Sequence, residues 1–202
     1  MSVTQQPPKA DVDLSPEESL SLIYSMITKA RGTVADNSFY LLFWGWLVFV
    51  CCLSEFLLKV LLQYPNHSVV WWSMPAGGII SAIYSFRQSR KLKVLSFVDQ
   101  ALDFLWVGIG IAFGLLVYIN FVANSWTNAF TYYILLYAIG TFVTGKLLRF
   151  KPLVMGGLLN FVLAGVCVHF NYDYQLLIAS LALLISYIIP GHLLHNRYRQ
   201  NK

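Results

Sequence analysis

Few residues in this sequence are equipped for chemistry, and most of those lie inside or beside long apolar runs. Glu55 and Lys59 stand four positions apart within the run 39–62. On a helix this spacing puts them one turn apart on one face, with the acid N-terminal to the base, which is the favourable order. An ionisable pair in a membrane span is a functional candidate, because charge in hydrocarbon is costly. The structural alternative is an ion pair in which Lys59 reaches along its own stem to the interface. Asn160 follows Gly156-Gly157 in another apolar run and completes a candidate intramembrane polar site of Glu55, Lys59 and Asn160. Taken alone, Asn160 reads as a hydrogen bond between helices. Asp99 and Asp103 repeat the four-residue spacing at the start of a third run, close to Arg87, Arg90, Lys91 and Lys93. They read as helix capping and loop pairing, or as a candidate cytoplasmic-face polar site. Two carboxylates do not amount to acid–base catalysis without a cavity for a substrate.

Other chemistries are poorly supplied. The four histidines do not converge: His67 and His169 border runs at one face, and His192 and His195 lie at the other. The His192/His195 spacing suits two metal ligands on a helix, but no third Cys, Asp or Glu is near in sequence. Cys51, Cys52 and Cys167 sit in apolar runs without metal-ligand spacing and read as packing residues. No phosphate-binding loop, nucleophile elbow or zinc-protease signature is present. No catalytic residue, metal ligand or cofactor is therefore expected, and a non-enzymatic role is the more natural one.

The elements that must position these residues follow from composition. Of 202 residues, 57% are hydrophobic and only 11% charged, whereas a soluble domain carries about 25% charged residues. So little charge cannot cover a globular surface in water, so lipid is expected to take its place. The net charge of +5 falls in clusters between apolar runs and is no sign of nucleic-acid binding. Apolar runs at about 39–62, 70–86, 101–122, 130–148, 152–169 and 175–194 predict six transmembrane helices. The expected fold class is all-α, a polytopic membrane bundle of three helical hairpins. Pro75-Ala76-Gly77-Gly78 leaves the start of the second span open to distortion.

Residues 1–14 are polar, with Pro7-Pro8, and read as a disordered tail. Ser15-Pro16-Glu17-Glu18 supplies a capping box and a first-turn proline. It opens an amphipathic helix over 15–32, with Leu20, Ile23, Ile27 and Ala30 on one face, too polar to span and suited to the membrane surface. No basic start followed by an apolar core marks a cleavable signal. Residues 195–202 read as a basic cytoplasmic tail.

Lys and Arg occupy alternate connections: Lys29 and Arg31, Arg87 to Lys93, Lys146 to Lys151, and Arg197 to Lys202. Residues 63–69, 123–129 and 170–174 hold none. The positive-inside rule then predicts cytoplasmic N- and C-termini. Gly110 and Gly114 form a GxxxG pair in the third run. Packing within the chain is its first reading, and a homo-oligomer interface the sharper one.

The stretches Glu18-Ser19-Leu20 to Lys29-Ala30 and Asn37-Ser38-Phe39 to Trp44-Gly45-Trp46, with Pro190-Gly191 near the last helix end, resemble a group of uncharacterised bacterial six-helix inner-membrane proteins. The resemblance implies a cell inner-membrane location and no particular activity. The leading expectation is an accessory, regulatory or assembly subunit that binds a membrane protein partner in a lipid environment. The alternatives are a small-solute or ion transporter or channel, probed by a cavity lined by Glu55 or Asn160, and an intramembrane enzyme acting on lipid or quinone.

Overall fold

A computed structural model describes Ser15, residues 38–89 and residues 97–200 of the chain. The expected tail over 1–14, nearly all of the amphipathic helix over 15–32, and Arg90, Lys91 and Lys93 lie outside the described residues. What is described is all-helical. Helix α1 covers Ser38–Leu61, and a 3-10 turn, His67–Trp72, leads into α2, Ser73–Ser89. Then follow α3 (Phe97–Val122), α4 (Ala129–Leu147), α5 (Lys151–Cys167), α6 (Tyr172–Leu183) and α7 (Ile189–Gln200). A π-helical turn, Leu184–Ile188, joins α6 to α7. Hence α7 carries the chain to Gln200 in helix, six residues beyond the expected end of the last span.

Helix ends follow ordinary capping chemistry. At the end of α4, Phe150 N–H donates to the Gly145 carbonyl at 2.9 Å and Arg149 N–H to Lys146 at 3.2 Å. This is a Schellman cap, with Arg149 left-handed at φ 52°. Asn124 at φ 47° closes α3 in the same way, through Ser125 to Asn120 and Asn124 to Phe121. Pro152 sits in the first turn of α5, where its missing N–H is harmless. The second apolar run starts late as an α-helix, since residues 67–72 are wound tightly as 3-10 ahead of Pro75.

The centre of the bundle is the α4–α5 hairpin packed on α6 and α7. Small residues set its tightness. A Cβ on Gly157 would lie 2.6 Å from the Phe142 backbone nitrogen, and one on Gly145 would lie 2.7 Å from Val154 N. Gly156 meets the backbone of Ser186 as closely, at 2.9 Å. Around these contacts Ile134, Leu153, Leu176, Leu183 and Tyr187 are buried. The close approach of backbones at glycine supplies attraction that lipid-exposed leucines cannot.

Among the described residues, four helices are long and apolar enough to cross a membrane: Ser38–Leu61, His67–Arg87, Val98–Val122 and Tyr172–Asn196. The other two expected spans fall short for identifiable reasons. At 17 residues, α5 is apolar but short. Its partner α4 has 19 residues but spends many of them on Tyr, Thr and Gly. Most of α4 is covered by protein, so its faces are chosen for close packing rather than for hydropathy, while α5 keeps one exposed apolar face, with Met155, Leu158 and Val162. The outer helices show the converse: 6% of the α2 segment and 11% of the α3 segment are buried, against 56% of the last.

Candidate functional site: a cleft with a buried carboxylate at one end

Glu55 lies on the inward face of α1 and is fully buried. The 3-10 turn folds His67 and Trp71 back over it, and Tyr172, the first residue of α6, closes the remaining side. His67 Nδ1 lies 3.0 Å from Oε1, Tyr172 OH donates to the same oxygen at 3.0 Å, and Trp71 Nε1 donates to Oε2 at 2.5 Å. Three donors on two oxygens are what a buried carboxylate requires, because without them its desolvation is uncompensated. Phe130 packs against Trp71 and Tyr172, with ring centroids 5.7 and 5.4 Å away, and so fixes both donors. One turn earlier, Cys51 Sγ lies 3.1 Å from Ser73 Oγ, which itself donates to the Val70 carbonyl at 2.7 Å. This contact ties α1 to the start of α2.

The expected ion pair between Glu55 and Lys59 is not formed. Lys59 Nζ instead lies 2.5 Å from Asp173 Oδ1 and 4.4 Å from the centroid of the Tyr172 ring. The reason is local: residues 57–61 wind as a π-helix. Its i→i+5 bonding breaks the four-residue register that stacks i and i+4 on an α-helix. Tyr172 thus serves both residues, its hydroxyl on Glu55 and its ring under Lys59. The Lys59–Asp173 pair is about one-third exposed on both sides, a setting in which such pairs contribute little.

From Glu55 a cleft of about 2150 Å³ runs between the helices to the basic end of the bundle. Helices α1, α2, α3, α4 and α6 and the π turn contribute to its wall. On α1 the stripe is Leu41, Trp44, Val48, Cys52, Glu55 and Lys59, at steps of three and four. On α3 it is Asp99, Asp103, Trp106, Gly110, Phe113 and Val117. From α4 and the π turn come Tyr137, Thr144 and Tyr187. Thr144 and Tyr187 are 1% and 2% exposed, and neither hydroxyl has a hydrogen-bond partner among the described residues.

The GxxxG pair serves this cleft. Gly110 and Gly114 face it, and a Cβ added to either would meet nothing within 4 Å. Close packing of α3 inside the chain at these positions, the first reading of the motif, is therefore not what the fold does. Gly145, Gly156 and Gly157 are among the packing glycines, and Gly110 and Gly114 of α3 leave room.

The other expected site residues divide between the cleft and the core. Asp99 and Asp103 line the basic end of the cleft, and His67 and His169 line the Glu55 end. Asn160 is not in the cleft: its Nδ2 donates to Ser186 Oγ at 2.8 Å, and Ser186 donates to the Ala182 carbonyl at 2.7 Å. This buried relay joins α5 to the π turn and is a structural tie. His192 and His195 are exposed on α7. No group of three or more metal-ligating side chains occurs among the described residues.

Sequence reasoning missed Trp71 and Tyr172 as ligands of Glu55, because both read simply as interfacial aromatics. Tyr187 and Thr144 were legible only as hydroxyls in apolar runs, a weak signal. Compared with protein-family models, curated proteins and solved structures, the chain matches none of them.

Proposed function

We propose that this chain is a multi-pass membrane protein whose cleft binds a small, largely apolar solute and passes it across the bilayer. The observation that carries this reading is the reach of the cleft, from the buried Glu55 cluster at one end to Asp99 and Asp103 at the other. A pocket for a single small ligand is about 300–1,000 Å³. A volume roughly twice that, extended along the helix axes, suits a path with more than one station.

The reading takes all six helices as spans, with both termini cytoplasmic and the cell membrane as location. Supporting it, α4 and α5 have rises of about 28 and 26 Å at about 1.5 Å per residue, close to a hydrocarbon core of about 30 Å. The alternation of basic and Lys/Arg-free connections supports the orientation. Reporter fusions after residues 66, 126 and 171 are expected to report outside, and fusions after 91, 150 and 202 inside. A fusion after 126 reporting inside would remove the six-span reading. For the solute, purified protein in nanodiscs is expected to bind the neutral apolar dye Nile red saturably. Gly114→Leu, which projects a side chain into the cleft from a position where an added Cβ meets nothing within 4 Å, is expected to abolish that binding without lowering the melting temperature. Equal binding by both proteins would overturn the proposal.

The accessory-subunit reading keeps one observation of its own. The outward faces of α2 and α3 expose Ile79, Ile83, Phe104, Ile111 and Tyr118 with little burial in the chain. A membrane partner or a second copy would find an apolar face there, and a copy engaging Gly110 and Gly114 would enter the cleft itself. Native mass spectrometry from mild detergent distinguishes these cases by the mass of the recovered particle.

A further inference from the structure

We infer that the solute is an apolar organic cation. The inference rests on the cleft reading above and adds the sign of the charge. Carboxylates stand at both ends of the cleft, Glu55 at one and Asp103 at the other. Lys59 is the one Lys or Arg among the described residues that line it, and its ammonium is held 2.5 Å from Asp173. The Glu55 carboxyl group accepts from the Trp71 indole and the Tyr172 hydroxyl and lies 3.0 Å from His67 Nδ1, with no Lys or Arg paired to it among the described residues. An anion moving along the wall would meet like charge at each end, and a cation would meet opposite charge.

The middle of the cleft points the same way. Trp44, Trp106, Tyr137 and Tyr187 contribute aromatic surface. The negative faces of such rings attract cations, most strongly where water is excluded. Thr144 lines the cleft as well, and the Thr144 and Tyr187 hydroxyls are almost fully buried, without partners among the described residues. Carboxylates at the ends, aromatic rings between them and apolar walls elsewhere describe a cation with a hydrophobic body.

The test uses tetraphenylphosphonium and tetraphenylborate, ions of like size and opposite charge, with the full chain in nanodiscs of zwitterionic lipid. Binding is read by equilibrium dialysis. Wild-type protein is expected to bind the phosphonium saturably and the borate at least about tenfold more weakly, a factor equal to about 1.4 kcal/mol. Asp103→Asn is expected to weaken phosphonium binding about tenfold. Gly114→Leu is expected to abolish binding of both probes. Borate binding as tight as phosphonium, or an Asp103→Asn variant with unaltered phosphonium binding, would overturn the cation inference while the cleft reading stands on Nile red. Failure of all three probes would overturn both.

Discussion

Two glycine-to-alanine substitutions separate the packing seam from the cleft. Gly157 lies where α5 crosses α4, and its added Cβ would sit 2.6 Å from the Phe142 nitrogen and 2.8 Å from its Cα. These are backbone atoms, so no rotamer change relieves the overlap and the hairpin itself must part. Gly114 faces the cleft, and its added Cβ meets nothing within 4 Å. Both residues are helical, so both substitutions gain the same intrinsic helix preference, about 1 kcal/mol. The difference between the variants therefore isolates the packing term, which for overfilled cores is about 1–3 kcal/mol. At about 2–4 °C per kcal/mol for a chain of this size, Gly157→Ala is expected to melt about 2–12 °C below Gly114→Ala. Gly114→Ala itself is expected to match or exceed the wild type. Thermal unfolding in one detergent, followed by intrinsic fluorescence, measures this directly. Equal melting temperatures, or a Gly114→Ala variant less stable than Gly157→Ala, would refute the assignment of the two glycines to seam and cleft.

Further expectations concern the polar contacts. Tyr172→Phe removes one donor from a buried carboxylate and is expected to cost about 1.5–3 kcal/mol, whereas Lys59→Met, at a partly exposed pair, is expected to cost under about 1 kcal/mol; denaturant titration of both variants gives the comparison. Ser186→Ala leaves the buried Asn160 amide without its acceptor and is expected to cost about 1–3 kcal/mol, with a double-mutant cycle against Asn160→Leu showing strong coupling. Asn124→Gly relaxes a left-handed backbone at φ 47° and is expected to be neutral or to stabilise by up to about 1 kcal/mol, read as a rise in melting temperature.

The helical class and the rough positions of the apolar helices were legible because hydropathy is a local property of the chain. Span number was less so, since hydropathy reports contact with lipid and α4 mostly contacts protein. Glu55 stood out because a carboxylate in an apolar run is rare, yet its partners did not. Tyr172 lies 117 positions away, and no periodicity joins residues on different helices. The Glu55–Lys59 reading failed on a single assumption, that α-helical register persists to residue 61. Asn160 was likewise chosen for its depth in an apolar run, and its amide nitrogen proved to be bonded to Ser186. The GxxxG signal was real but its sense was not fixed, since small residues allow both close approach and open space.

The π turn at Leu184–Ile188 has a consequence for how this chain tolerates change in length. A π turn holds one more residue than the α-helical turn it interrupts, so it behaves as an insertion already accommodated. Deleting one residue there would let the helix close into regular α geometry, with little loss of backbone bonding. It would also shift the phase between α6 and α7 by about 100°, one residue's share of a 3.6-residue turn. Gly191, now against Leu41 and Leu42 of α1, would turn away from that helix while α6 kept its seat. The last helix is thus two segments in different phase, and the single extra residue is what allows both to fit the same bundle.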